Sequence, residues 1–259
     1  MMKANSLEGN DCNSSKSQLS AVCLAEAPGI SRRLLLGAPL LGVPLLLTSC
    51  TTETLLNATF DAEPIGGPPA SSQPTGTVAT LPGAGSVTVV ASPVASDTGH
   101  WVRIAHPSAP SPETSMKCSL SSFGGDGQYT VAASLFIPSG AGLATLQFEA
   151  FAQPVDSFLN FLHLDFMTDN TVRIDDGPTS FGSFQRDQLF SIVISLTIGA
   201  SGASATISLF GAASGSLTVN VDPSLLNVAR QFGALRFWMG FQWTGFFDVT
   251  DVTVLRVTS

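Results

Sequence analysis

Residues 234–257 read ALRFWMGFQWTGFFDVTDVTVLRV and give the clearest indication of how this chain folds. Along 234–244, apolar and polar side chains alternate, which predicts a strand that buries one face. The apolar face carries Leu235, Phe237, Met239, Phe241 and Trp243, and the other face carries Arg236, Trp238, Gly240, Gln242 and Thr244. Along 246–257 the apolar residues change parity near Asp251, which predicts a β-bulge or burial of both faces there.

Similar runs fill most of the chain on either side of this stretch. They are rich in Val, Ile, Phe and Thr and are separated by clusters of Gly, Pro, Ser and Asp, as is typical of strands joined by turns. The predicted strands are 55–61, 86–92, 100–105, 117–122, 128–137, 144–153, 157–167, 170–175, 188–197, 203–210, 214–221, 234–244 and 246–257. We predict a short helix over 223–231 and an extended loop over 62–84. About a dozen strands in one chain predict an all-β, two-sheet antiparallel β-sandwich with a single domain.

The alternation along the run 157–167 divides its side chains between two faces of a predicted strand. Its even positions Phe158, Leu162, Leu164 and Phe166 form one face. Its odd positions form the other face, and these are Leu159, Phe161, His163, Asp165 and Met167.

An apolar segment with two arginines in front of it precedes the strands, in SRRLLLGAPLLGVPLLLTSC, residues 31–50. Its apolar part runs for only 15 residues, Leu34 to Thr48, whereas a membrane-spanning helix needs about 20. Pro39 and Pro44 interrupt it, and each removes a helix hydrogen bond. A charged region followed by a short apolar run is typical of a secretory signal.

Two motifs in this segment resemble known bacterial export signals. Residues 31–36, with Arg32 and Arg33, resemble the twin-arginine motif, and Leu47-Thr48-Ser49-Cys50 resembles a lipobox. The resemblance implies a signal peptide over 1–49, a lipidated tether over 50–54 that begins at Cys50, and a folded domain over 55–259. The expected location is the cell envelope, and the outer membrane where the cell has one. A general secretory signal and a retained anchor helix are the alternatives.

Charge and cysteine content narrow the choice of partners. Removal of 1–49 takes away three acidic and four basic residues, which leaves 16 acidic against 7 basic residues and a net charge near −9. This balance argues against nucleic acid and against electrostatic docking on anionic lipid. Because Cys12 and Cys23 leave with the signal and Cys50 carries lipid, Cys118 has no cysteine to pair with. We expect Cys118 to be a small buried apolar residue.

Four segments of the mature part resemble the concanavalin A-like jelly roll of lectin, laminin G-like and glucanase domains. They are NATFDAEPIGGPP (57–69), SVTVVASP (86–93), GHWVRIAHP (99–107) and GFFDVTDVTVLRV (245–257). The resemblance implies a jelly-roll sandwich and a sheet face that often holds sugar.

Three predicted strands supply residues of the types that a carbohydrate site needs, since aromatic rings stack on sugars and polar groups bind hydroxyls. The candidate ligand-binding residues are Glu149, Phe151, Phe161, His163, Asp165, Arg236, Trp238 and Gln242. The alternative places Phe161 and Trp238 in the core and leaves Glu149 and Asp165 as solvated residues of a sheet face.

Catalytic and metal chemistry has fewer candidates. The resemblance implies a Glu-x-Asp-x-x-Glu strand for a retaining glucanase, and no such string occurs, which leaves Glu149 and Asp165 as candidates for hydrolysis. Calcium, the cofactor considered, would use oxygen ligands from Asp165, Asp169, Asn170, Asp175 and Asp176. The leading hypothesis is therefore a non-catalytic, membrane-anchored module that binds a glycan or an envelope protein. A glycoside hydrolase or lyase and a purely structural lipoprotein are the alternatives.

Overall fold

The computed structural model describes residues 51–151, 159–175, 177–240 and 242–258. Within them nearly all regular structure is strand. The strands are β1 (Thr51–Ala58), β2 (Thr77–Leu81), β3 (Ser86–Ala91), β4 (His100–His106), β5 (Thr114–Ser119), β6 (Gly127–Phe136), β7 (Ala144–Ala150), β8 (Asn160–Phe166), β9 (Thr171–Ile174), β10 (Ser180–Phe184), β11 (Leu189–Gly199), β12 (Gly202–Gly211), β13 (Ala213–Asn220), β14 (Phe232–Met239) and β15 (Gly245–Thr258). A 3₁₀ turn (Pro223–Leu225) leads into the short helix α1 (Leu226–Ala229).

The strands form two antiparallel layers. The front sheet has the order β2-β5-β14-β7-β8-β9, and the back sheet has the order β13-β12-β11-β6-β15-β4-β3. β10 pairs with both β9 and β13 and so joins the two layers, while β1 pairs with the second half of β15. Because β14 lies between β5 and β7, and β15 lies between β6 and β4, the chain crosses between the layers as in a jelly roll. The predicted all-β antiparallel jelly-roll sandwich is confirmed.

The core lies between the layers and is built from the inward positions of each strand. In the back sheet, every second residue of β11 and β12 is buried, including Ile192, Ile194 and Ile207. In the front sheet, Leu235, Phe237 and Met239 of β14 are fully buried in the same cluster, as their alternation predicted. Each such side chain contributes about 1.5–3 kcal/mol when it leaves water.

Cys118 on β5 belongs to this core. It is a free thiol with no exposed surface, and burial raises its pKa to about 12. The prediction that it is a buried apolar residue is confirmed.

Two strands were not predicted. β2 lies inside the segment expected to be an extended loop, 62–84, and pairs with β5 at the edge of the front sheet. β10 has the sequence SFGSF, whose glycine and serines carry little strand propensity, and its pairing with β9 and β13 holds it extended. β10 therefore depends on tertiary pairing that local propensity does not report, whereas β2 contains Thr and Val, which favour strands.

The other expectations shift by a few residues. β1 begins at Thr51, so residues 51–54 pair with the end of β15. The irregularity near Asp251 is confirmed, because the register of β15 against β6 shifts between Thr250 and Thr253 and Asp251 has a φ of 52°. The predicted helix over 223–231 is the 3₁₀ turn together with α1, and Asp222 caps it by accepting a hydrogen bond from the Ser224 amide.

In the described part of the chain, no helix has both the length and the hydropathy that crossing a bilayer requires. The export motif with Arg32 and Arg33 and the lipidation site Cys50 lie outside the described residues, as do Phe158, Asp176 and Phe241.

Candidate functional site

Three side chains lie in one row across the outer face of the front sheet. Trp238 of β14 is in register with Thr145 of β7, and Thr145 is in register with Asp165 of β8. The Thr145 hydroxyl donates a hydrogen bond to Asp165 Oδ1 at 2.8 Å. Since neighbouring strands are about 4.8 Å apart, the row spans about 10 Å. It therefore presents an indole, a hydroxyl and a carboxylate in sequence across the sheet.

A pocket of about 210 Å³ opens along this row. Its lining residues are Leu143, Thr145, His163, Asp165, Trp238, Gly240, Gln242 and Trp243. The volume is below the about 300–1,000 Å³ of pockets that hold drug-sized ligands. The pocket is therefore of a size for one small ring, with a longer ligand extending into solvent.

Glycines position the two indoles of the pocket. A Cβ on Gly240 would meet the six-membered ring of Trp238 at 2.8 Å, so the absence of a side chain lets that ring lie across the turn. A Cβ on Gly142 would meet Cβ of Trp243 at 2.7 Å. The Trp243 amide also donates a hydrogen bond to the Gly240 carbonyl at 3.0 Å, which closes the turn after β14.

His163 stands at the β8 side of the pocket between two carboxylates. Its Nε2 is 3.3 Å from Asp165 Oδ2, and its Nδ1 is 3.3 Å from Asp175 Oδ1. The backbone amide of His163 donates to the same Asp175 oxygen at 2.9 Å. Asp165 is buried, whereas the side chain of Asp175 is 53% exposed. The two carboxylates hold the imidazole in place at the edge of the pocket.

A buried cluster of charges lies on the same sheet face, toward the other end of the strands. Glu149 is bonded to the Arg236 guanidinium through both carboxylate oxygens, and Lys117 Nζ lies 2.9 Å from Glu149 Oε2. Arg236 Nη1 also contacts Ser115 Oγ at 3.2 Å and Glu113 Oε1 at 3.7 Å. Burial raises the pKa of Glu113, with Arg236 acting to lower it and Glu149 to raise it.

This cluster corrects part of the predicted ligand set. Glu149 and Arg236 were expected to contact a ligand, yet both are fully buried and neutralise each other. A buried carboxylate is stable only when it is paired and hydrogen-bonded, and these two residues satisfy each other in that way. Glu149 is therefore also not a candidate catalytic residue for hydrolysis.

The prediction for Phe161 was wrong. The register between β7 and β8 shifts between Phe148 and Glu149, and this bulge turns Phe161 into the core although its parity predicts the outer face. Its ring packs at 6.0 Å from that of Phe148 and at 5.8 Å from that of Phe232. Phe151 is half-buried at the far end of the sheet, where its ring is 6.1 Å from that of Phe123.

The acidic residues proposed for calcium have other partners. Hydrogen bonds from Thr171 lower the pKa of Asp169, which also pairs with Arg173 at 3.2 Å. Asp165 and Asp175 contact His163, and Asn170 accepts a hydrogen bond from Arg186. Among the described residues, no group of three or more His, Cys, Asp or Glu side chains could hold a metal ion.

The pocket thus contains four of the predicted ligand-binding residues, which are His163, Asp165, Trp238 and Gln242. Sequence reasoning missed Leu143, Thr145, Gly240 and Trp243 as lining residues. Thr145 could have been predicted from the sequence, because alternation along 144–153 places it on the same strand face as Glu149. Trp243 carried none, because the alternation of 234–244 continues past Met239, where β14 ends.

Comparisons with known proteins were made for the whole chain. No family model matches it, and no curated protein matches it. Solved structures with similar folds include the endo-1,3-beta-glucanase from Streptomyces sioyaensis, with 14% identity over 84% of this chain and 100% of that one, and a TM-score of 0.47. Lectin II from Ulex europaeus has 12% identity over 80% of this chain and 100% of that one, also with a TM-score of 0.47.

A sialidase has 9% identity over 78% of this chain, and its TM-score is 0.47. The match spans only 18% of the sialidase chain. Values of this size do not assign a ligand or an activity to this protein.

Proposed function

We propose that this chain is an exported, lipid-anchored module whose pocket binds one ring of an uncharged glycan without cleaving it. The observation that supports binding is the row of Trp238, Thr145 and Asp165 beside Trp243. An indole ring packs on the apolar C–H face of a pyranose, while a hydroxyl, a carboxylate and the Gln242 amide bind its hydroxyl groups. The row spans about 10 Å, which suits one sugar ring and the two linkages on either side of it.

The charge of the pocket favours uncharged glycans over acidic ones. Asp165 is a carboxylate, and no Lys or Arg belongs to the described pocket lining. The buried cations Lys117 and Arg236 pair with Glu149 instead. A uronic acid or a sulfated sugar would place a second negative charge next to Asp165 in a half-enclosed site, where the repulsion is only partly screened.

The same pocket favours binding over hydrolysis. Glycoside hydrolysis requires two carboxyl groups on the two sides of the bond that is cleaved. Among the described residues that line the pocket, Asp165 is the one acidic residue. Glu149 lies in the buried ion cluster, away from the pocket lining.

Binding to a panel of soluble neutral and acidic polysaccharides tests the glycan proposal. We expect Trp238→Ala to weaken binding to a neutral glycan at least about tenfold, because an aromatic stacking partner contributes on the order of 1.4 kcal/mol or more. Phe210→Ala is the matched control, since Phe210 is an exposed aromatic residue on β12 outside the pocket. Gly240→Ala tests the ring position, because the new Cβ displaces the Trp238 indole while the rest of the pocket stays.

Equal affinity of the wild type and Trp238→Ala would refute the pocket as the site. Binding of an acidic glycan in preference to every neutral one would refute the charge argument. A third outcome is that no glycan binds, and that the wild type but not Trp238→Ala retains an envelope protein. The ligand of the pocket would then be a protein and not a glycan.

The anchor is the second part of the proposal. It is supported by the order of the motifs: Arg32 and Arg33, then a short apolar run, then the lipobox that ends in Cys50. Stable membrane attachment requires more than one acyl chain, as a lipidated N-terminal cysteine provides. We expect the mature protein to begin at Cys50, with acyl chains on that residue, and to face the outside of the membrane to which it is attached.

Mass spectrometry of the amino-terminal peptide and membrane fractionation test this part. Cys50→Ser should leave the protein unprocessed and without acyl chains, and Arg32→Lys with Arg33→Lys should prevent export of the folded domain. Recovery of an intact amino terminus from wild-type protein would refute the anchor. The glycan assay uses detergent-solubilised protein, so its outcome is independent of the anchor.

A further inference from the structure

The strand register identifies the end of the sandwich that lies next to Cys50. β1 begins at Thr51, the residue that follows Cys50, and Thr52 is in register with Val257 of β15. Val257 is in register with Gln128 of β6. We call this the anchor end of the sandwich. A chain covers at most about 3.6 Å per residue, so an acylated Cys50 would hold this end within a few ångströms of the lipid headgroups.

Two of the four large apolar side chains that are exposed among the described residues lie at the same end. Phe123 is 57% exposed and Leu159 is 39% exposed, although both are large apolar residues. The ring of Phe151 lies 6.1 Å from that of Phe123. We call these three residues the apolar patch.

Backbone hydrogen bonds tie each member of the apolar patch to the anchor end. The Ser121 amide donates to Leu55 of β1, and the Gly124 amide donates to Phe232, the first residue of β14. These two bonds bracket Phe123. The amide of Phe151 donates to Gln231, and the carbonyl of Leu159 accepts from Ala150, the last residue of β7.

Two acidic residues near the apolar patch each have an arginine beside them. Arg230 Nε lies 2.7 Å from Asp126 Oδ1, and Arg256 is in register with Glu53 across β1 and β15. The Arg256 guanidinium also donates to the Asp126 carbonyl at 2.9 Å. An arginine beside each of these two acidic residues lessens their repulsion by anionic headgroups.

From these observations we propose that the apolar patch of Phe123, Phe151 and Leu159 rests in the headgroup region of the bilayer that holds the lipidated Cys50, so that the sandwich stands on the membrane with its pocket raised above it. This inference rests on the proposed lipidation. Exposed apolar groups beside an acylated residue gain from entering the boundary between headgroups and acyl chains. A direct link from Cys50 to β1 leaves a protein partner little access to this end.

The orientation also determines the height of the pocket. Phe232 lies at the anchor end, because its ring is 5.6 Å from that of Tyr129, the residue after Gln128. β14 runs from Phe232 to Met239, and Trp238 lies six residues along it. At about 3.3 Å per residue, the pocket row lies about 20 Å farther from the membrane than the start of β14. The pocket is then presented to polymers outside the membrane and kept clear of lipid.

Site-specific fluorescence on the full chain tests this inference. The wild-type background is expressed with its own signal, purified with its lipid and reconstituted in vesicles of phosphatidylethanolamine and phosphatidylglycerol. An environment-sensitive probe is placed at Phe123→Cys or, as a second position in the patch, Leu159→Cys. Phe210→Cys is the matched control, because Phe210 is 45% exposed near the end of β12 that is remote from the anchor end. The buried thiol of Cys118, with its pKa raised to about 12, does not compete for the probe.

We expect the probes in the apolar patch to show blue-shifted emission and severalfold stronger quenching by headgroup-labelled nitroxide lipids than the probe at 210. Equal quenching at both ends, in protein whose Cys50 carries acyl chains by mass spectrometry, would overturn this inference and leave the anchor intact. An unacylated Cys50 would overturn both. Glycan binding by the same vesicles is measured separately and depends on neither result.

Discussion

The outer faces of both sheets carry polar residues, but much of the polar set is buried on the front sheet and solvent-exposed on the back sheet. On the back sheet, Ser and Thr of β11–β13 are exposed or half-exposed and pair across strands, as in the contact between the Thr206 and Thr218 hydroxyls at 2.9 Å. On the front sheet, many of the outward polar residues are buried, and they include charged groups. They are Ser115, Lys117, Thr145, Gln147, Glu149, Asp165 and Arg236. A polar sheet face can therefore be either a solvated surface or a second, ionic interior.

The largest effect expected from this difference follows removal of charge from the front face. Glu149→Gln leaves the guanidinium of Arg236 and the ammonium of Lys117 buried without this carboxylate. Breaking a buried ion pair by removing one partner costs about 3–5 kcal/mol. We expect the free energy of unfolding, measured by urea denaturation, to fall by that amount.

Two variants serve as controls for this prediction. Thr206→Val removes a polar group from the outer face of the back sheet and should change the free energy of unfolding by about 0.5 kcal/mol or less. Glu149→Gln combined with Lys117→Met restores part of the charge balance and should recover part of the loss. Unchanged stability of Glu149→Gln together with lost glycan binding would show that Glu149 contacts the ligand after all.

The next effect concerns the bulge that moves Phe161 into the core. We expect Phe161→Ala to lower the free energy of unfolding by about 3–4 kcal/mol, because the cavity adds to the lost transfer free energy of the ring. Phe151→Ala is the matched control on the neighbouring strand end and should cost less than half as much, since Phe151 is only half-buried. Equal stability losses in Phe161→Ala and Phe151→Ala, or a loss of glycan affinity in Phe161→Ala alone, would indicate that Phe161 lies on the outer face.

These contrasts explain which parts of the structure the sequence could predict. The alternation along β11 and β12 is visible because one face meets water, so polar and apolar residues separate cleanly. β7 and β8 are buried on most positions of both faces, and the pattern around Phe161 therefore says little about register. The bulge opposite Phe148 and the short strand β10 depend on pairing partners distant in sequence.

The residues of the candidate site also differ in how far the sequence could predict them. Trp238 and Asp165 could be found because each is a residue type that often binds ligands and lies between two apolar neighbours in the sequence. Glu149 and Arg236 were assigned to the ligand because a charged residue on a polar face is usually solvated, and their mutual burial is a tertiary property. Trp243 and Gly240 belong to the turn after β14, and the alternation along 234–244 continues past Met239, where the strand ends.

The smallest effect concerns an ion pair of the back sheet. Arg103 Nε and Nη2 donate to the two oxygens of Asp248 at 2.8 and 2.9 Å, and Asp248 is fully buried while the Arg103 side chain is 33% exposed. Arg103→Met should therefore cost less than the front-sheet change, about 2 kcal/mol near pH 7, as for one buried polar group left unsatisfied. Arg230→Met is the matched control for charge, because its pair with Asp126 is on the surface, and it should lower stability less than Arg103→Met does.

The pH dependence of the Arg103→Met effect separates a buried charge from a packing defect. Burial raises the pKa of Asp248, and Arg103 acts to lower it. A raised pKa means that the folded protein holds this proton to higher pH than the unfolded chain, so stability is lost as pH rises from the unfolded value toward the folded one. Arg103→Met raises the pKa of Asp248 further, so its cost should be full near pH 7 and smaller at acid pH, where Asp248 becomes protonated. If the cost is the same at both pH values, Arg103 stabilises the back sheet through its stacking on Phe246, whose ring centroid lies 3.7 Å from the guanidinium carbon. The two sheets would then not differ in how they bury charge.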